Sequence, residues 1–329
     1  MSRFIVPMLS ALMLTSPIAA QAIPTPPPGV LVDIGGWRLH LNCQGAGSPT
    51  VVFESGAGDP GIVWGLVQPP VAQFTRACSY DRAGLAWSDP GPMPRTMRQV
   101  AYELRLLLTR AGEKPPYVLV SHSLGGFFAR VFNRDHGADV VGFVFADVVM
   151  ENNILGAPEQ LRSIRDRATG RPVPAVVTKM APSVSPDPFI VADTVRLPSD
   201  RNPMSRLTPA EQRAYITALR SPISRTTNRS EQDLWAEEAQ ELFVARTANP
   251  RELGDKPTIV LTRDVAGFKG GDSVSMAVKG REHQWLSQAS TRGALRILPD
   301  LGHEIHLKQP DAVVDAIRDV LAQLRARSP

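Results

Sequence analysis

The sequence predicts an α/β fold in which a mostly parallel β-sheet is flanked by helices. Short apolar segments with many β-branched residues alternate with segments of helical periodicity along most of the chain. Glycines or small polar residues follow the apolar segments, and only the stretch from about 150 to 256 breaks the alternation. Such alternation is typical of βα units, whose strands pair in parallel.

The predicted strands begin with a hairpin over 29–42, which turns at Gly35 and Gly36. Six later apolar runs have the length and composition of buried strands. They lie at 50–54, 77–80, 117–120, 140–146, 258–262 and 294–298.

Helical patterns lie between and after these strands. Thr96 can cap a helix over 96–111 that Gly112 ends, and Pro310 precedes a closing helix over 311–325. Residues 151–255 are rich in Pro, Arg and Ser, and their two helical patterns, at 208–219 and 230–246, have no strand between them. The pattern predicts a helical lid, or cap, over 151–255 and a sheet-based core formed by 23–150 and 256–329.

The first 22 residues predict a signal peptide. Arg3 gives a positive start, residues 4–14 are almost all apolar, and residues 20–22 form an A-x-A cleavage site. The alternative is an uncleaved anchor, although the apolar run is shorter than a bilayer requires. We expect an exported protein, periplasmic or secreted, without a stable membrane span after cleavage.

Composition indicates a globular protein, with 43% hydrophobic and 21% charged residues and a net charge of +4. No basic run is interleaved with aromatic residues, so nucleic-acid binding is not expected. No CxxC or HExxH spacing indicates a metal site, and no cofactor is expected. Cys43 and Cys78 are the two cysteines, and they either pair in an oxidising compartment or remain buried free thiols.

Residues 121–125, Ser-His-Ser-Leu-Gly, join a predicted strand to a helix that begins near Gly126. This is a nucleophile elbow of the G-x-S-x-G type with Ser121 at the first glycine position, and the sharp turn requires small residues there. The pattern predicts that Ser123 is a catalytic nucleophile. The alternative is a serine that only caps the helix.

His303 follows the last predicted strand, and the chain order of Ser and then His predicts that it is the catalytic base. His306 competes for this role, whereas His122 is expected to point away from Ser123 and to pack. Acyl transfer also needs backbone N–H donors for the oxyanion. We expect them from Leu124 and from Ala57, whose loop is otherwise an ordinary glycine-rich turn.

Three aspartates could orient the histidine as the acid of a triad. Asp147 ends the strand at 140–146, Asp264 follows the strand at 258–262, and Asp272 lies in a glycine-rich loop. We favour Asp147 at the carboxyl end of its strand, because Asp264 lies almost on a strand end instead of out in a loop. Asp264 remains the alternative acid.

Three segments carry a family resemblance: YDRAGLAWSDPGPMPRT at 80–96, PYVLVSHSLGG at 116–126 and GHEIHLKQP at 302–310. Together they resemble a bacterial carboxylesterase-like group of the α/β-hydrolase fold superfamily, over about residues 30–150 and 256–325. The resemblance implies an eight-stranded sheet, a serine nucleophile and a helical lid after strand six. It also implies that Cys43 and Cys78 lie on neighbouring strands, where a disulfide is possible. The offset of Asp147 from Ser123 resembles that of haloalkane dehalogenases, whose acid follows strand six.

We therefore expect a serine hydrolase that cleaves a small-molecule carboxylic ester through an acyl-enzyme. Dehalogenase and epoxide-hydrolase chemistry is disfavoured, because those relatives of the fold use Asp as nucleophile. The alternatives are an amide or peptide hydrolase, such as an aminopeptidase, and a non-catalytic binding protein. An aminopeptidase needs carboxylates in the lid to bind the free amine of its substrate. Five acidic residues occur in the predicted lid: Glu231, Asp233, Glu237, Glu238 and Glu241. Their helical spacing is also typical of a helix face that is exposed to solvent.

Overall fold

The computed structural model describes residues 28–155, 176–180, 189–191, 194–264, 273–299 and 302–326. These residues form one eight-stranded sheet in the order β1-β2-β4-β3-β5-β6-β7-β8. The pairs β1–β2 and β2–β4 are antiparallel, and all other neighbours are parallel, which confirms the predicted fold class. The strands are β1 (Val30–Asp33), β2 (Arg38–Gln44), β3 (Thr50–Glu54), β4 (Ala77–Tyr80), β5 (Tyr117–His122), β6 (Val140–Ala146), β7 (Thr258–Arg263) and β8 (Gly293–Leu298).

Ten α-helices lie within the described residues. They are α1 (Gln68–Ala72), α2 (Met97–Arg110), α3 (Gly125–His136), α4 (Glu151–Leu155), α5 (Pro209–Arg220), α6 (Pro222–Asp233), α7 (Trp235–Ala248), α8 (Ser273–Gln288), α9 (Ile305–Lys308) and α10 (Pro310–Arg325). Thr96 caps α2 by accepting from the Gln99 N–H, as the sequence predicts.

The prediction of one helix over 230–246 is wrong. The chain forms α6 and α7 instead, and they are separated at Leu234, whose backbone leaves the helical region at φ −110° and ψ 7°. Leu234 is buried, and α6 begins earlier than predicted because Pro222 occupies its first turn behind the Ser221 cap. Packing of a buried leucine thus interrupts a pattern that is locally helical throughout.

Both faces of the sheet are covered by apolar side chains. On β5, Leu119 belongs to a core shared with α2 and α3, whereas Val118 and Val120 belong to a second core shared with α1 and α10. Successive side chains of a strand point to opposite faces, so a strand buried on both faces is apolar at every position. This explains why the central strands could be predicted as continuous apolar runs.

Cys43 and Cys78 face each other across β2 and β4 and form a disulfide. The free-thiol alternative is therefore wrong. A disulfide of this kind is compatible with an exported protein. Among the described residues, none of the helices combines the length and hydropathy that crossing a bilayer requires. The predicted signal peptide lies outside the described residues, and so does Asp272.

Candidate active site

Ser123 occupies a sharp turn between β5 and α3. Its φ of +52° is in the left-handed region, which is uncommon for a residue with a side chain and is found preferentially at functional sites. The turn packs closely against the end of β3. Glycine at position 125 permits this contact, because a Cβ there would lie 2.5 Å from the Glu54 carbonyl oxygen. Strand β5 therefore delivers Ser123 to the carboxyl edge of the sheet in the geometry of a nucleophile elbow.

His303 connects Ser123 to Asp147. Its Nε2 lies 2.8 Å from the Ser123 Oγ, and its Nδ1 lies 2.6 Å from the Asp147 Oδ2. An ionised carboxylate only accepts hydrogen bonds, so Nδ1 of the neutral imidazole carries the proton and Nε2 accepts from the serine hydroxyl. The imidazole is therefore in the tautomer that can remove the hydroxyl proton.

Asp147 is held at the end of β6 with a φ of +45°, and its N–H donates to the Leu261 oxygen at 2.9 Å. The carboxylate is buried and faces two cations: the Lys279 Nζ at 2.7 Å and the Arg263 Nε at 3.5 Å. Burial raises the pKa of Asp147, but the His303 hydrogen bond and the Lys279 ammonium outweigh burial and hold it well below the usual range. Asp147 is thus an ionised partner for the imidazole.

The competing candidates occupy other positions. The N–H of Asp264, just after β7, donates to the Leu298 oxygen, and the aspartate within hydrogen-bond distance of His303 is Asp147. His306 is buried with its ring 4.9 Å from Trp64, and burial lowers the pKa of His306 to about 3. His122 does more than pack, because its Nε2 donates to the His303 carbonyl oxygen at 3.0 Å and so ties the elbow to the histidine loop.

The loop at 55–58 lies beside the nucleophile. A Cβ on Gly56 would lie 3.2 Å from the Ser123 Cβ, so the backbone approaches the serine as closely as glycine permits. Ala57 follows in this loop, and Leu124 follows Ser123. Within the described part of the chain, the N–H groups of Ala57 and Leu124 donate to no backbone or side-chain acceptor. Both amides therefore remain available to an external oxygen.

Two of the five acidic residues in the predicted lid are buried, so a fully solvated acidic face is the wrong interpretation. Glu231 accepts from Nε and Nη2 of Arg82 at 2.8 and 3.0 Å. Glu238 accepts from the Met97 N–H at 2.6 Å, at the start of α2. These carboxylates hold the segment between β6 and β7 against the sheet-based core.

Sequence reasoning missed Lys279 as the cation beside Asp147. Lys279 lies on α8, 132 residues after its partner, and no motif surrounds it. It also missed the role of Arg82, although Arg82 belongs to the segment at 80–96 that carries the family resemblance. The resemblance of that segment was the available signal that Arg82 has a role, but it does not indicate which carboxylate pairs with the arginine.

Residues 51–316 match the model of the alpha/beta hydrolase family, and the chain therefore belongs to this family. A thermophilic esterase from Thermogutta terrifontis has a similar fold, with a TM-score of 0.57, 19% identity, and coverage of 89% of this chain and 98% of the esterase. A Pseudomonas aeruginosa protein assigned to the epoxide hydrolases superposes with a TM-score of 0.62 at 17% identity, covering 90% of this chain and 96% of that protein.

Relatives in sequence match shorter segments. The "Probable transporter efuK" of Hormonema carpetanum is 36% identical over 129 residues, which are 37% of this chain and 18% of that protein. "Uncharacterized protein YqjL" of Bacillus subtilis (strain 168) is 34% identical over 115 residues, which are 35% of this chain and 46% of that protein. The chain thus spans less than half the length of these relatives. Family membership supports hydrolase activity.

Proposed function

We propose that the protein is a serine hydrolase that cleaves a carboxylic ester through an acyl-enzyme. One observation carries the proposal: an unbroken series of hydrogen-bond contacts runs from Asp147 through His303 to Ser123. Ser123 is the nucleophile, His303 the general base and Asp147 the acid that orients the imidazole. The amides of Ala57 and Leu124 form the oxyanion hole.

In the first half-reaction, the Ser123 Oγ attacks the acyl carbon while His303 Nε2 takes the hydroxyl proton. The carbonyl oxygen becomes an oxyanion and accepts from the two amides. His303 then gives its proton to the departing alkoxide, the bond between the acyl carbon and that oxygen breaks, and the alcohol leaves. The acyl group remains as an ester on Ser123.

In the second half-reaction, water attacks the acyl-enzyme and His303 takes a proton from it. The tetrahedral intermediate collapses, the serine oxygen recovers the proton from His303, and the carboxylic acid departs. Asp147 stays ionised throughout, since the His303 hydrogen bond and the Lys279 ammonium keep the pKa of this carboxyl low. Its negative charge stabilises the imidazolium that forms twice in each cycle.

Hydrolysis of an ester is favoured over aminopeptidase action. A site for a free amine needs an available carboxylate, and the two buried carboxylates among the five acidic residues are already engaged: Glu231 is paired with Arg82 and Glu238 accepts from the amide of Met97. Epoxide-hydrolase chemistry is disfavoured, because the residue at the elbow is Ser123 and not an aspartate.

The test combines a fluorophosphonate probe with the hydrolysis of nitrophenyl esters of increasing acyl length. Ser123→Ala removes the nucleophile, so kcat should fall by about 10⁴-fold or more while circular dichroism stays unchanged. Labelling should be lost at the same time. The ester series also identifies the acyl length that the pocket accepts.

Ser121→Ala is the matched control. Ser121 lies two residues earlier on β5, fully buried, and its Oγ has no hydrogen-bond partner among the described residues. Its removal should leave labelling and kcat near the wild-type values. A folded wild-type protein that neither hydrolyses esters nor reacts with the probe would instead be the non-catalytic binding protein.

A further inference from the structure

The guanidinium of Arg82 is buried behind the loop at 55–58 with all its donors occupied. Nε and Nη2 donate to the two carboxylate oxygens of Glu231, and Nη1 donates to the Glu54 Oε1 at 3.0 Å. Nη1 also donates to the Ser55 carbonyl oxygen at 2.9 Å, and Nη2 to the Gly56 carbonyl oxygen at 2.7 Å. A guanidinium has five N–H groups, and here each has an acceptor.

This arrangement fixes the direction of one peptide plane. The Gly56 carbonyl and the Ala57 N–H belong to the same peptide unit, which is planar and trans, so they point in opposite directions. Arg82 holds the carbonyl oxygen from behind, and the Asp59 N–H donates to the same oxygen at 3.2 Å. The Ala57 N–H is thereby directed away from Arg82.

Glu231 brings helix α6 into this arrangement. It supplies two of the five acceptors of Arg82, from a position 149 residues further along the chain. Helix α6 also packs closely on the neighbouring loops, since a Cβ at Gly58 would lie 2.8 Å from the Asn228 Cγ. The loop at 55–58 is therefore supported by the core through Glu54 and by the segment between β6 and β7 through Glu231.

We propose that Arg82 is a positioning residue that aims the Ala57 N–H at the oxyanion, and that Glu231 of α6 holds Arg82 in the required orientation. This inference rests on the proposed ester hydrolysis. It assigns the segment between β6 and β7 a part in transition-state stabilisation. Docking of α6 completes the oxyanion hole.

The variant Arg82→Lys tests the proposal. Lysine keeps the charge but offers three N–H groups from one point, so it cannot reach two carboxylates and two carbonyls. Removal of one oxyanion donor costs about 10²- to 10³-fold in kcat, and we expect a loss of roughly 10²-fold with little change in KM. Because sulfur is a poorer hydrogen-bond acceptor than oxygen, the preference for a nitrophenyl ester over its thionoester analogue should also shrink.

Arg95→Lys is the matched control. Arg95 is equally buried and its two Nη atoms form a paired contact with Glu103, but its contacts do not include the loop at 55–58. It should lose comparable stability and keep the wild-type ratio of ester to thionoester rates. If Arg82 had only a structural role, the ratio of ester to thionoester rates would stay at the wild-type value in both variants, and that result would overturn the proposal.

A second pair of variants addresses the contribution of α6. Glu231→Gln keeps one acceptor and turns an N–H donor toward Arg82, so kcat should fall by about tenfold and the ester preference should shrink with it. Glu103→Gln disturbs the control pair in the same way and should leave the preference unchanged. If Arg82→Lys does not fold, an unchanged preference in Glu231→Gln overturns the proposal. A wild-type protein without fluorophosphonate labelling would instead remove the proposed function itself.

Discussion

Asp147 and Glu238 are both buried carboxyl groups, exposed by 0% and 4%, yet their pKa values shift in opposite directions. The pKa of Asp147 lies well below its usual range, whereas burial raises the pKa of Glu238 to about 8. Burial alone favours the neutral acid at both positions. The difference must therefore come from what each carboxylate contacts.

Their partners account for it. Asp147 meets an imidazole N–H and two side-chain cations, Lys279 and Arg263. Glu238 accepts from the backbone amides of Met97 and Arg98, and the nearby Glu241 carboxylate adds repulsion. At Glu238 the amides, with a smaller contribution from the Arg98 guanidinium, offset only part of the desolvation. At Asp147 the His303 hydrogen bond and the Lys279 ammonium overcome it. The cations Lys279 and Arg263 thus lie beside the carboxyl group that stays ionised. The carboxyl group at the interface of α7 with α2 is one that can stay protonated.

The largest expected effect comes from removing the charge of Asp147. Asp147→Asn cannot accept the Nδ1 proton of His303 in the same way and leaves the imidazolium without a counter-charge, so kcat should fall by about 10⁴-fold. Asp264→Asn is the comparison in the same ester assay, with circular dichroism to verify folding. An inactive Asp264→Asn beside a near-normal Asp147→Asn would assign the acid to the strand-seven position instead.

Removing Lys279 makes the surroundings of Asp147 more like those of Glu238. In Lys279→Met, the ammonium no longer opposes a proton on the Asp147–His303 pair, so the protonated and inactive form persists to higher pH. We expect the acid limb of kcat/KM to move up by about one pH unit and activity near pH 7 to fall by up to about tenfold. The measurement is a pH–rate profile between pH 5 and 9.

Lys256→Met is the control for that profile. Lys256 is also a partly buried lysine, but it donates to Asn133 and to the Gly137 carbonyl oxygen, away from the candidate triad. Its removal should change stability without moving the acid limb. Equal shifts in both variants would mean that the acid limb responds to the loss of any lysine charge and not to the contact of Lys279 with Asp147.

The parts of the molecule that were predictable are those in which the local pattern decides the structure. The strand at 140–146 was predicted with its observed bounds, because a parallel strand covered on both faces is apolar at every position. The sharp turn at Ser123 was predictable for a similar reason, since the small residues of the elbow are a local feature. The 2.8 Å contact of Ser123 with His303 spans 180 residues and was expected from the order of serine and histidine along the chain. Helix α8 was not predicted, because it buries Lys279, Glu282 and His283 where an amphipathic pattern requires apolar residues.

The contacts that were not predictable join residues far apart in sequence. Glu231 and Glu238 repeat at a helical spacing, which is equally typical of an exposed face, and only the tertiary structure brings them to Arg82 and Met97. The choice between Asp147 and Asp264 depends in the same way on where the His303 loop lies. Local sequence identifies the groups that can react, whereas long-range packing decides which charges surround them.

The smallest expected effect concerns Glu238 and the pH dependence of stability. A folded-state pKa of about 8, above the unfolded value near 4.5, means that this group contributes stability fully below about pH 4.5 and loses it as pH rises through 8. Glu238→Gln keeps an acceptor for the Met97 N–H but cannot ionise. The Tm of the variant should therefore rise relative to that of the wild type as the pH increases from 6 to 9.

Thermal melts of both proteins at several pH values test this expectation, with Asp315→Asn as the control. Asp315 lies on α10 with its carboxylate largely exposed, so its removal should change Tm by the same small amount at every pH in this range. If the Tm difference between Glu238→Gln and the wild type is as flat as that of the control, Glu238 is already ionised at neutral pH. Two backbone amides and the Arg98 guanidinium would then be sufficient to keep this buried carboxylate ionised.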